Sequence, residues 1–173
     1  SQLSVDGQWL VPKNLGRAIN TVYDEGSPFI FPDNQSLYFN SDGHPGLGQK
    51  DIFYSKLSDS SKWSKPVNIG YPVNSHRDEI GLVIAKDGKT AYYASTMQGN
   101  NWDIYQFDLP EKVRPNPVSY VSGTIFDAQS HENLPASLQL LDLQTGDTVI
   151  QTQAQKEDGS YLVCLPFGKE YAL

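Results

Sequence analysis

The chain has 173 residues, 38% apolar and 19% charged, with 10 Tyr, 7 Phe and 3 Trp, a globular composition with room for one or two domains. Its net charge of −7, from 20 acids against 13 scattered bases, excludes the basic footprint that nucleic acid or an anionic membrane surface requires. One cysteine, Cys164, excludes an intrachain disulfide, and no apolar run approaches the roughly 18 residues of a spanning helix.

The start, "SQLSVDGQWL", carries no signal-peptide pattern. Frequent Gly (14) and Pro (11) among aromatic and β-branched runs predict many short strands joined by tight turns. The first long pattern is "DEGSPFIFPDNQSLYF", Asp24–Phe39, and it recurs as "DEIGLVIAKDGKTAYY", Asp78–Tyr93. At an offset of 54, Trp9 falls on Trp63, Asn14 on Asn68, Gly16 on Gly70, Asn20 on Asn74, Asp33 on Asp87 and Ser41 on Ser95. After a loop two residues shorter, Asp51-Ile52 falls on Asp103-Ile104. Self-similarity at such a period marks a propeller or an array.

Each unit reads as four strands. "SPFIFP", "SLYFNS", "KDIFYSKL" and "KWSKPVNIG" form the first set, with an Asp/Asn turn after the first strand and the Gly-rich "DGHPGLGQ" loop after the second. The second unit has "GLVIAK", "TAYYAS" and "DIYQFDL". The first strand, apolar at nearly every position, is expected to be covered on both faces, and the third to lie nearer an edge. The Trp- and Pro-containing fourth strand suits an outer edge. The expected architecture is therefore all-β: a partial β-propeller, about two four-stranded blades of a larger ring. The chain opens on a lone fourth strand, "GQWLVPKNLG", and its second unit has three strands before "DLPEKVRPNP". These are expected to be the last blades of a ring whose missing outer strand comes from a segment before Ser1.

The propeller part spans residues 1–110, and "EKVRPNPV", 111–118, reads as a semi-rigid proline linker. Residues 119–173 hold the strand signals "YVSGTIFD", "ASLQLLDL", "DTVIQTQA" and "GSYLVCLP", then the start of another at "FGKEYAL". Alternation in "SLQLLDL" predicts a small β-sandwich, cut off at its C-terminus. Cys164 sits inside an apolar strand run and reads as an inert thiol.

The segment Tyr23–Lys56 resembles the PD40 propeller repeat of TolB-like proteins, with its Asp-Glu pair, Pro-Asp turn, "LYFNS", Gly-rich loop and "DIF". The second copy departs from it at Lys86-Asp87 and in its shorter loop. "VSGTIFDAQSHENLPASLQLLDLQTG" with "EDGSYLVCLPFGKEYAL" is similar to the carboxypeptidase regulatory-like, transthyretin-like sandwich. This order of modules resembles the periplasmic OmpA-family proteins of the Bacteroidetes, some associated with type IX secretion. The resemblance implies a non-catalytic scaffold in the periplasm, attached to the outer membrane in a lipoprotein. Its partners would be proteins, with peptidoglycan held by a domain outside this chain and no cofactor.

Paired carboxylates can carry acid–base chemistry when their pKa values are pushed apart across a substrate. Asp24/Glu25 and Asp78/Glu79 recur with the repeat, as do Asp51 and Asp103, so they read as a structural blade motif that bonds backbone amides. The loop Asp42–Asp51 has the oxygens for a Ca²⁺ site but lacks the alternating ligands and closing Glu of an EF-hand. His44, His76 and His131 lack the spacing of a zinc site, and no G-x-S-x-G elbow is present. No enzyme, metal or cofactor is expected. The loop containing His44 and its counterpart with Trp102 are the candidate partner contacts, Trp102 as an aromatic anchor or as packing between blades. A glycan-binding or carbohydrate-active accessory module is the alternative, and an accessory part of a peptidase a third.

Overall fold

A computed structural model describes residues 8–58, 60–99 and 101–173. The chain is all-β, with 43% strand and 2% helix in several antiparallel sheets, and no sheet closes into a barrel among the described residues. None of the described helices is long and apolar enough to cross a membrane. The chain divides into two compact units, 1–115 and 116–173.

In the first unit, β1 (Glu25–Ile30), β2 (Ser36–Ser41), β3 (Asp51–Lys56) and β4 (Val67–Asn68) form one meander in the order β1-β2-β3-β4. β5 (Glu79–Ile84), β6 (Thr90–Ser95) and β7 (Asp103–Asp108) form a second, in the order β5-β6-β7. The sequence repeat is also a backbone repeat. Register shifts fall between Gly26 and Phe29 in β1 and between Ile80 and Val83 in β5, at the offset of 54. Inside the shifted segments Ser27 (φ 44°) and Gly81 (φ 68°) both take the left-handed conformation that accommodates the extra residue of a bulge. Asn34 (φ 55°) and Gly88 (φ 67°) match in the following turns.

The core of the first sheet is Ile19, Leu37, Phe39 and Phe53, with Trp63 packed on it. Burial differs from the expectation that the first strand is covered on both faces. β2 is buried throughout, whereas Ile30 and Pro28 on β1 are exposed. An apolar run records what a strand can bury; a neighbouring sheet has to be present to bury it. β5 packs against β1, β2 and β3 and is accordingly more buried, with Glu79, Leu82 and Ile84 inside.

The boundary between units falls inside the stretch 111–118 read as linker. Its first part belongs to the first unit: Glu111–Val113 makes a 3-10 turn with Val113 fully buried. The Val113 carbonyl accepts a hydrogen bond from Tyr38 Oη at 2.5 Å. Two prolines did not prevent packing, because Val113 between Pro110 and Pro115 still offers an apolar side chain and an acceptor.

The second unit contains β8 (Val118–Thr124) paired with β11 (Ser160–Pro166), and the order β10-β9-β12 from β9 (Ser137–Asp142), β10 (Thr148–Gln153) and β12 (Tyr171–Ala172). Its core draws on both sheets: Leu140, Val163 and Leu165, with Ile150, Tyr161 and Tyr171 against them. β9 alternates strictly, with Leu138 and Leu140 inward. Cys164 is half-buried on β11 and burial pushes its thiol up, away from the reactive thiolate.

Asp142 ends β9 with a buried carboxylate that takes the Lys169 ammonium at 2.7 Å and the Gln144 N–H at 2.9 Å. The Lys169 bond first, then Gln144, holds the carboxyl below the ordinary Asp range. Because the folded value lies below the unfolded one, this stabilisation is present above the unfolded value and is lost as pH falls through the folded one. Lys169→Met is therefore expected to move the acid unfolding midpoint of the second unit to higher pH, read by tyrosine fluorescence or near-UV circular dichroism. An unchanged midpoint would count against the pair.

Candidate functional site

The acids that the repeat singles out lie at the start of β1 and β5, where each sheet begins. Glu25 sits directly across from Ser41, and Glu79 across from Ser95. Glu25 Oε2 accepts the Thr21 backbone N–H at 3.0 Å, and Oε1 accepts the hydroxyls of Thr21 at 2.7 Å and Ser41 at 2.9 Å. Glu79 repeats the set with Ser75 N–H at 3.1 Å, Ser75 Oγ at 2.6 Å and Ser95 Oγ at 3.3 Å. Each hydroxyl in turn accepts a backbone amide: Thr21 from Tyr23, Ser41 from Gly43, Ser75 from Arg77 and Ser95 from Met97. The carboxylate thus closes the five-residue loop before the strand and fastens it to the end of the next strand.

This arrangement also limits the chemistry. A serine nucleophile needs a base to take its proton and donors for the developing oxyanion. Here each hydroxyl already donates to a carboxylate and accepts a backbone amide. Burial pushes the Glu79 carboxyl up, while its bonds from Ser75 pull in the opposite direction.

Asp24 and Asp78 do not share the environment of their neighbours. The Asp24 side chain is exposed and lies 3.6 Å from the Lys50 ammonium, a pairing of low energetic weight at the surface. Asp78 accepts the Lys50 backbone N–H at 3.1 Å. Asp51 and Asp103 diverge further. Asp51 is buried, and its Oδ2 accepts amides of Leu47 and Gly48 and the Asn68 side chain. Among the described residues its Oδ1 is buried without a partner, while Asp103 is exposed.

The glycine-rich loop wraps the Asp51 carboxylate rather than presenting ligands outward. A Cβ at Gly46 would overlap Asp51 Oδ2, and one at Gly48 would overlap the Ser75 and Arg77 carbonyls, so glycine is needed for close approach. Asp42 is also engaged, accepting the Asp24 N–H at 2.9 Å. Among the described residues no group of three or more His, Cys, Asp or Glu could hold a metal ion. His44 is half-buried: Nε2 lies 2.8 Å from the Ile19 carbonyl and the ring packs near Phe39 and Phe53. Trp102 is half-exposed at the start of β7.

Residues that sequence reasoning aligned without assigning a role turn out to join the two sheets. Asn74, fully buried, accepts the Ile52 N–H at 2.9 Å and donates to the Ile52 carbonyl at 2.8 Å. A side-chain amide pairing both ways with one residue of β3 imitates a strand neighbour. Its remaining donor meets Asn68 Oδ1 at 2.8 Å, and the same oxygen takes the Gly70 N–H. The first copy keeps the inner half of this device: Asn20 donates to Asn14 Oδ1 at 2.9 Å, and Gly16 N–H bonds that oxygen at 2.8 Å. The offset of 54 for Asn14/Asn68 and Asn20/Asn74 was the available signal. The Asp turns recur too, Asp33 holding Gln35 and Ser36 as Asp87 holds Lys89 and Thr90. Comparison with protein-family models gives no match, and comparisons with curated proteins and with solved structures give no significant match.

Proposed function

We propose that the chain is a non-catalytic, protein-binding scaffold, made of part of a PD40-type propeller followed by a transthyretin-like sandwich. The observation that carries this reading is the repeated latch, in which Glu25 and Glu79 spend both carboxylate oxygens on loop amides and hydroxyls. Such acids set the geometry of a stacked module, and the module's loops are left to present a rigid surface. On this reading, which the sequence resemblance to periplasmic OmpA-family proteins supports, that surface works at the outer membrane, with protein partners there and peptidoglycan gripped by a domain outside this chain. A link to the type IX secretion machinery belongs to the same proposal.

The test is to immobilise the chain and probe it with solubilised outer-membrane proteins and, separately, with a glycan array that includes peptidoglycan fragments. Saturable capture of a protein, weakened by Trp102→Ala and without sugar binding, is the expected result. Saturable binding of a glycan without a protein partner would replace the scaffold by the glycan-binding alternative.

A further inference from the structure

The loop 42–50, which joins β2 to β3, is tied down along its length. Gly43 N–H bonds Ser41 Oγ at 2.9 Å, and His44 Nε2 lies 2.8 Å from the Ile19 carbonyl. Leu47 and Gly48 give their amides to the buried Asp51 carboxylate. Gln49 N–H bonds the Arg77 carbonyl at 3.2 Å, and Lys50 N–H bonds Asp78 Oδ1 at 3.1 Å. His44 turns inward onto Phe39 and Phe53, whereas Leu47 is 56% exposed. A single exposed leucine ordinarily carries no meaning. This one is held by its own N–H between two glycines that admit no side chain, Gly46 against Asp51 and Gly48 against the Ser75 and Arg77 carbonyls. The sheet does not demand that construction, because the second repeat joins β6 to β7 by a loop two residues shorter and without Gly-Leu-Gly.

Further stacked repeats would not cover Leu47. The loop already rests on the repeat it packs against, through Gly48 and Gln49. A repeat on the other side of the first sheet would meet Thr21 and Tyr23, the counterparts of Ser75 and Arg77 at the offset of 54. The charge in and against the loop is acidic. Asp24, Asp42, Asp78 and the buried Asp51 stand there against Lys50 and Arg77, and Lys50 is already opposed by Asp24 at 3.6 Å. We propose that Leu47 is a preorganised anchor that enters an apolar pocket on a partner protein, with basic residues around that pocket. The fastened loop spares most of the ordering cost that a mobile one would carry on binding. That preorganisation is what gives a leucine, less common than Trp, Tyr or Arg as a binding hot spot, its weight here. The acids around it select a cationic rim and favour encounter with it.

This inference rests on the protein-binding reading of the chain and names the contact within it. The test takes the protein that the full chain captures saturably from solubilised outer-membrane proteins, purifies it and measures its affinity for wild type and variants. Circular dichroism checks that each variant keeps its fold. Leu47→Ala should weaken binding at least about tenfold, because burying a leucine side chain contributes more than the roughly 1.4 kcal/mol that tenfold represents. Leu47→Met, which keeps the apolar volume, should bind nearly as wild type. Gly48→Ala, which displaces the loop with its leucine retained, should weaken binding as well. Affinity should also fall as salt is raised from about 0.05 to 0.5 M. Unchanged affinity in Leu47→Ala, or affinity indifferent to salt, would overturn the proposal and leave the scaffold reading standing. Leu47-dependent binding of a glycan or of a second copy of the chain, in place of a captured protein, would overturn it too. Capture of no protein at all would sink both readings together.

Discussion

Asn74→Ala lowers the unfolding free energy of the first unit by about 3 kcal/mol in urea denaturation followed by tryptophan fluorescence. The side chain makes three hydrogen bonds at 2.8–2.9 Å in a fully buried site. Truncation strands the Ile52 N–H, and an orphaned buried donor costs about 1–3 kcal/mol. The Ile52 carbonyl keeps a second donor, the Ile69 N–H at 3.2 Å, which limits the total. The lost contact is the one that binds β3 to the loop before β5, so the two sheets should separate more easily as well as unfold. Asn20→Ala is the internal control. Asn20 is half-buried and, among the described residues, bonds only Asn14 through its side chain, so its loss should cost under about 1 kcal/mol. Equal costs at the two positions would show that the bond to Ile52 contributes nothing.

Glu79→Ala destabilises the same unit by about 2 kcal/mol, and Glu25→Ala by about half as much. Both carboxylates hold the same three donors, but Glu79 is fully buried and Glu25 is half-buried, so water can replace the lost acceptor only at the first site. The Glu79 site also carries a pH signature. Burial raises its folded-state pKa above the ordinary Glu value. A raised folded value means that stability is fully present below the unfolded pKa and is lost as pH rises through the folded one. The stability advantage of wild type over Glu79→Gln should therefore shrink as pH is raised from the ordinary Glu range toward neutrality. Parallel pH profiles for the two proteins would contradict the assignment.

Much of this arrangement could be read from one self-alignment. The strands "SLYFNS" and "TAYYAS" have the observed bounds, and the Asp turns sit where their residues put them. The period also reached the hydrogen bonds: Thr21, Glu25 and Ser41 act as Ser75, Glu79 and Ser95 do. The limits of the reading lie where environment, not identity, decides. Asp51 and Asp103 align, yet one is buried under a glycine loop and the other is exposed on a sheet edge. β1 has the apolar character of a covered strand, but among the described residues only β5 of the second sheet packs against it, whereas β5 meets β1, β2 and β3. Trp and Pro correctly marked an outer strand, but only Val67–Asn68 of "KWSKPVNIG" forms a ladder, because Pro66 donates no hydrogen bond. Asn74 was visible only as a repeated letter. Its role depends on the fold bringing Ile52, 22 residues away, to its amide, and no local propensity records that.

The repeated polar residues hold one sheet against the next. Amide hydrogen exchange at Ile52 tests this most directly, because that N–H bonds the Asn74 side chain at 2.9 Å. Ile52 is expected to exchange as slowly as the ladder amides of β2 and β3, and Asn74→Ala to accelerate Ile52 selectively while Phe39 stays protected. Rapid exchange at Ile52 in the wild-type chain, or protection unchanged by Asn74→Ala, would contradict it.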